Sequence, residues 1–171
     1  VDGGQSLYGV ESTVISFENK NTVRILRPGY ITEKMLLTVC ENVIVDKAVL
    51  SGLEKNEKAS SPGMKYKHYS PKADIIMIES DLYDFINYVG KNYGDGVYSL
   101  IFDGDKKNFP YRYMTYGENS IQQAHQIFQK LRELDDINAK KVYVRSPEPV
   151  GVGLAVYNRL IRAAGFKVVR L

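Results

Sequence analysis

The chain has 171 residues, 44% hydrophobic and 25% charged, with 13 Tyr, no Trp and a formal net charge of +3. That is the balance of a soluble globular protein, one domain or a small domain plus part of another, and its charge is too modest for a surface that coats nucleic acid. The lone Cys40 excludes an intramolecular disulfide framework and a cysteine-based zinc site, so reducing, cytoplasmic surroundings fit best. No apolar run approaches the roughly 20 residues of a membrane-spanning helix, and no signal-peptide pattern opens the chain.

The chain begins Val1-Asp2-Gly3-Gly4, in what reads as the middle of a turn. A Gly-Gly turn needs preceding chain to return to, so the expectation is a piece of a longer protein or a processed product. Ser12 to Phe17 and Val23 to Leu26 are β-branched, apolar runs joined by Glu18-Asn19-Lys20-Asn21, the pattern of a hairpin. Arg27-Pro28-Gly29 stops the second strand. Thr32 then caps a short helix from Glu33 to about Val39. Residues 43 to 60 read as polar, irregular linker.

From residue 72 onward the pattern alternates. Ile75 to Ile78 is a short, continuously apolar strand. Ser80 or Asp81 caps a helix carrying Leu82, Phe85, Ile86 and Val89, ended by Gly90 or Gly94. Tyr98 to Phe102 forms a strand closed by Asp103-Gly104, and Tyr111 to Tyr116 a further one. Asn119 or Ser120 caps a helix with Ile121, Ala124, Phe128, Leu131 and Leu134 on one stripe. Lys141 to Arg145 is a strand, Leu154 to Ala164 a helix closed by Gly165, and Lys167 to Leu171 a last strand. This alternation predicts an α/β, Rossmann-like small open sheet with flanking helices over residues 72–171.

Between the two parts lies Ser61-Pro62-Gly63-Met64-Lys65-Tyr66-Lys67-His68-Tyr69-Ser70-Pro71. It sets lysines, a histidine and tyrosines between two prolines, which restrict the backbone at both ends. Cations and aromatic faces suit a phosphate-bearing, ring-bearing ligand, and they equally suit a solvated basic linker.

Other residues that could carry chemistry are few. Ser12 and Thr13 could donate to a carboxylate or phosphate, or could satisfy turn backbone groups. Arg27 should emerge at the sheet's rim, where a guanidinium binds phosphate or carboxylate in bidentate fashion or is only solvated. Strand alternation sends Arg24 to the opposite face. Pro149 to Leu154 opens a helix with glycines, but Val156 stands where a dinucleotide fingerprint wants Gly, which favours a packing turn. His125 reads as a core-edge residue. No Ser/His/Asp arrangement, metal-spaced cluster or P-loop lysine is present, so no metal site is expected and catalytic residues stay unassigned.

Four strings occur in the order found in one family: Gly9 to Ile15, Ile25 to Thr32, Ser61 to Pro71, and Gly151 to Leu160 followed by Arg162-Ala163-Ala164. The chain resembles the two-domain threonylcarbamoyl-AMP synthases, in which a YrdC-like catalytic domain is linked to a smaller C-terminal domain. The resemblance implies the end of the catalytic domain at 1–50, a linker or lid at 51–71 and the Rossmann-like domain at 72–171. It also implies a nucleotidyltransferase that turns L-threonine, bicarbonate and ATP into threonylcarbamoyl-AMP and pyrophosphate, for threonylcarbamoyladenosine in tRNA. Ser12 and Thr13 would serve the threonine or carbamate pocket. Arg27 would contact the nucleotide, and Tyr66, His68 and Tyr69 would touch ATP or close the site.

ATP, with Mg, would be a substrate, and no tightly bound cofactor is expected. The product would pass to the downstream tRNA threonylcarbamoyl-transferase machinery, with no membrane partner and no direct tRNA binding by this chain. The family's long N-terminal portion has no counterpart here, so the chain alone is expected to be inactive. Ser16 stands where an acidic residue was expected. Apolar edges in residues 1–50 should be exposed and could pair in a dimer. Two other readings are a non-catalytic nucleotide- or partner-binding regulatory α/β module, and a carbamoyl-transfer protein sharing the YrdC-like domain. The linker and the Arg159/Arg162 helix argue against the latter.

Overall fold

The computed structural model describes residues 6–51 and 70–171. Residues 52–69, with Tyr66, His68 and Tyr69, lie outside the described residues.

The first unit is a three-stranded sheet, β1 (Val14–Phe17), β2 (Thr22–Arg27) and β3 (Asn42–Val45), with β2 in the middle. β1 and β2 are antiparallel. The turn between them closes through the Glu18 amide donating to the Thr22 carbonyl at 3.0 Å and the Asn21 amide to Asn19 Oδ1 at 2.9 Å. Thr32 caps α1 (Glu33–Leu36) by accepting from the Met35 amide.

β3 corrects the expectation of irregular chain from residue 43. It pairs parallel to β2, with Val43 opposite Val23 and Val45 opposite Ile25. Three consecutive β-branched residues satisfy the sheet, and Val43 and Val45 pack on the cluster of Val23, Ile25 and Leu36. Glu41, Asp46 and Lys47 on either side made the window look polar. Asp46 then caps a 3-10 turn, Lys47–Val49, in which Ala48 and Val49 are buried.

The second unit is a five-stranded parallel sheet with the order β6-β5-β7-β4-β8. Its strands are β4 (Asp74–Glu79), β5 (Val97–Ile101), β6 (Tyr113–Thr115), β7 (Lys141–Arg145) and β8 (Val168–Arg170). The expected Rossmann-like sheet is therefore present. Both faces are covered, as all-parallel sheets require. Ile75, Met77, Leu100, Val142 and Val144 face α3 (Ser120–Asp136) and α4 (Val152–Ala163). Ile78, Val97, Ile101 and Tyr143 face α2 (Leu82–Lys91) on the other side.

Helix starts are set by caps: Asp81 accepts from the Asp84 amide, and Asn119 from the Ile121 and Gln122 amides. Gly90 lies inside α2, and Asn92 closes it. The turn expected at Asp103-Gly104 extends into a 3-10 turn, Asp103–Asn108. On α3 the expected stripe needs one correction. Ile121 is 51% exposed, whereas Ile127 is fully buried. Ile121, in the first turn of α3, therefore lies outside the core that Ala124, Ile127, Leu131 and Leu134 enter.

Candidate functional site

Gly29 brings the first unit's chemistry together. A Cβ there would overlap the Glu11 carbonyl and the Thr13 amide, so only Gly lets the Arg27-Pro28-Gly29 turn lie against residues 11–13. Arg27 Nε donates to the Ser12 carbonyl at 3.0 Å. Thr13 Oγ1 donates to the Ile31 carbonyl at 2.8 Å, so its hydroxyl holds the turn, while Ser12 is exposed. Ser12, Thr13 and Arg27 are thus neighbours.

The β1–β2 register slips by one residue between Val14 and Ile15, so Arg24 pairs with Ser16 and Arg27 with Val14. Such a bulge breaks the period of two, and opposite faces for the two arginines do not follow from alternation. Their partners separate them instead. Arg24 Nε donates to Glu18 Oε1 at 2.9 Å, with Asp46 Oδ2 at 3.8 Å from its NH1. Arg27 lines a narrow cleft against α4 with Glu11, Asn158, Arg159 and Arg162.

That cleft is where the two units meet. Arg159 is 5% exposed, stacks over the Phe128 ring at 4.6 Å and lies 3.6 Å from Glu11 Oε1. Asn158 Nδ2 donates to the Val49 carbonyl, and Arg162 NH2 donates to the Ala48 carbonyl at 2.9 Å. Burial, then the neighbouring Arg159 charge, lowers the Arg162 pKa, and Glu11 acts against both. The cleft holds ≈ 20 Å³, room for about one water. α4 therefore grips the first unit beyond both of its edge strands, at Glu11 before β1 and at residues 48–49 after β3.

Sequence reasoning noticed the Asn158-Arg159-Leu160 string without finding this role. The available signal was three polar residues at i, i+1 and i+4 of a helix otherwise apolar all round.

Gly153 confirms the packing reading of the Gly151–Gly153 turn. A Cβ on it would overlap the Glu148 carbonyl oxygen, and its amide donates to Val150 O at 3.0 Å. His125 is half-buried on α3. Among the described residues no group of three or more His, Cys, Asp or Glu could hold a metal ion, and no helix is long and apolar enough to cross a membrane.

A parallel α/β sheet whose last helix grips a separate three-stranded unit through the buried Arg159 and the half-buried Arg162 defines a two-unit α/β protein. The chain belongs to the family of the threonylcarbamoyl-AMP synthase C-terminal domain, whose model matches residues 31–165. It is 34% identical over 177 residues to threonylcarbamoyl-AMP synthase of Bacillus subtilis (strain 168), covering 99% of this chain and 49% of the relative. It is 30% identical to that of Pyrococcus abyssi (strain GE5 / Orsay), covering 100% and 50%. The solved P. abyssi Sua5 complexed with L-threonine superposes with a TM-score of 0.81 at 29% identity, over 99% of this chain and 50% of that one. A variant of that protein with an adjacent His and Tyr replaced by Ala gives 0.81 at 27%, over 99% and 49%. The chain spans about half the length of the curated relatives it matches.

Proposed function

We propose that this chain supplies one half of a threonylcarbamoyl-AMP synthase. The whole enzyme joins the amine of L-threonine to bicarbonate as a carbamate, with loss of water, and a carbamate oxygen then attacks the α-phosphate of ATP and expels pyrophosphate. The observation that carries this reading is the Arg27 turn, packed on Ser12 and Thr13 and held by α4, within a chain matched along 99% of its length by a synthase relative.

Arg27 contacts the nucleotide, where its planar fork suits phosphate oxygens. Ser12 and Thr13 border the threonine or carbamate pocket. The cleft beside Arg27 is too narrow for ATP, so the remaining walls of the pocket come from outside the described residues. By itself the chain is expected to make no threonylcarbamoyl-AMP. Magnesium enters with ATP as its counter-ion, part of the substrate. Residues 51–71 act as a linker between the units and a lid.

The adenylate is a mixed anhydride that water destroys, and a segment bearing Tyr66, His68 and Tyr69 excludes water from it. His68–Tyr69 is the chain's only adjacent His–Tyr pair, the type replaced in the solved Pyrococcus variant. The product passes to a tRNA threonylcarbamoyl-transferase.

The test replaces Tyr66 and His68 with Ala in a protein of the relatives' full length and measures ATP consumed per threonylcarbamoyl group delivered to tRNA. The ratio should rise and turnover fall by roughly tenfold, the cost of one lost stacking or hydrogen-bonding contact. An unchanged ratio with unchanged turnover makes the segment a tether.

A further inference from the structure

β5 and β7 are neighbours in the sheet, and the chain leaves them on opposite sides. β5 continues through the 103–108 turn to Phe109, which packs in the α2-side cluster, while β7 continues into α4 on the other face. In open α/β sheets such a reversal leaves a crevice outside the carboxyl ends of the strands, and ligands bind there. Here that crevice is a cavity of ≈ 290 Å³, close to the lower end of the range for small-molecule sites, about 300–1,000 Å³. It lies on the second unit, among residues the proposed synthase reaction does not use.

Its wall carries an uncommitted side-chain amide. Gln123 is 5% exposed and lines the cavity. Its backbone amide donates to the Asn119 carbonyl at 2.8 Å, but its side-chain amide has no hydrogen-bond partner among the described residues. The amide nitrogen and oxygen are not sealed from solvent, so a donor and an acceptor are open to the cavity together.

The walls are Phe102 and the buried Pro147, and the rim carries the exposed carboxylates Glu118 and Glu148, in no ion pair among the described residues. Arg145 stacks at 4.7 Å over Phe102 and is ion-paired with Asp105 through NH1, while its Nε is buried without a hydrogen-bond partner among the described residues. The start of α3 offers little to an anion, because Asn119 Oδ1 already accepts from the Ile121 and Gln122 amides at 3.1 Å each.

An amide with both donor and acceptor matches the N6/N7 edge of adenine. Carboxylates at such a crevice accept from ribose hydroxyls, and they repel phosphate. We infer that this crevice binds an adenine nucleoside, adenosine itself, and discriminates against its phosphorylated forms. The site is independent of the Arg27 region and of the synthase reading.

Calorimetric titration of the 171-residue chain with adenosine and with AMP tests it. Adenosine should bind saturably, and AMP at least roughly tenfold more weakly. Gln123→Leu, which leaves no unpaired amide, should weaken adenosine by about tenfold or more. Glu148→Gln should narrow the gap between adenosine and AMP. In the wild-type chain, NMR shifts on adding adenosine should centre on Phe102, Ser120 and the Gln123 side-chain amide, a readout that does not depend on any variant folding. Absence of saturable adenosine binding at millimolar concentration, AMP binding as tightly as adenosine, full binding by folded Gln123→Leu, or shifts confined to residues 6–51 would each overturn the inference.

Discussion

Tyr157 donates to Glu79 Oε1 at 2.7 Å from the inner face of α4, and Glu79 is also bound by Arg170 Nε at 2.7 Å. Burial first, and then that carboxylate bond, pushes the Tyr157 phenol up to about 12. A folded-state pKa above the ordinary tyrosine value of about 10 means that the folded protein holds this proton more tightly. The associated stability is fully present below about pH 10 and is lost as pH rises toward about 12. Tyr157→Phe lacks this contribution, so its melting temperature should fall less steeply than wild type between pH 10 and 12. Tyr116 and Tyr143 are also raised by burial and decline alike in both proteins. Parallel profiles for variant and wild type would rule the contribution out.

Glycines give a second contrast at this scale. Gly153→Ala forces its methyl into the Glu148 carbonyl and should cost about 1–3 kcal/mol in chemical denaturation. Gly94→Ala meets nothing within 4 Å and should stay within about 0.5 kcal/mol of wild type or stabilise slightly.

Elements were more legible in the sequence than sites. β7 is bounded by Lys141 and Arg145 as expected, and the caps Thr32, Asp81 and Asn119 sit where short polar side chains precede apolar periodicity. β3 was missed because four residues between charged neighbours earn no strand assignment until β2 is known to need a parallel partner. Arg24 and Arg27 were separated by counting in twos, and the Val14–Ile15 bulge, a tertiary feature, invalidates the count. The grip of α4 on Glu11 and residues 48–49 was invisible for a related reason. The partners are 109 to 148 residues apart in sequence, and nothing local encodes their meeting.

That grip makes its own prediction. Arg159→Ala removes the Glu11 contact and the Phe128 stacking, so amides of β1–β3 and residues 47–49 should exchange with deuterium about tenfold faster. Those of β4–β8 should be unchanged. The exposed Arg132→Ala on α3 serves as control. Equal exchange in all three proteins would show that α4 does not hold the first unit.

At the scale of the molecule, the first unit is poorly covered. Phe17 on β1 is 75% exposed and Val39, in the turn after α1, 79%, and the outer strands β1 and β3 of the small sheet are edges. Edges of this kind invite pairing with more chain, in keeping with relatives about twice as long. The second unit has a closed core of its own and reaches the first through α3 and α4. In the proposed enzyme it therefore acts as a scaffold that steadies the Arg27 turn.

The most direct measurement is threonine-dependent pyrophosphate release at varied ATP, by a protein of the relatives' full length carrying this chain, compared with its Arg27→Ala and Arg24→Ala variants. The account predicts release by the parent, an apparent KM for ATP raised at least roughly tenfold by Arg27→Ala, and a change of less than about twofold for Arg24→Ala, whose charge is met by Glu18 and Asp46. Equal effects of the two substitutions, or no threonine-dependent release by the parent, would contradict it.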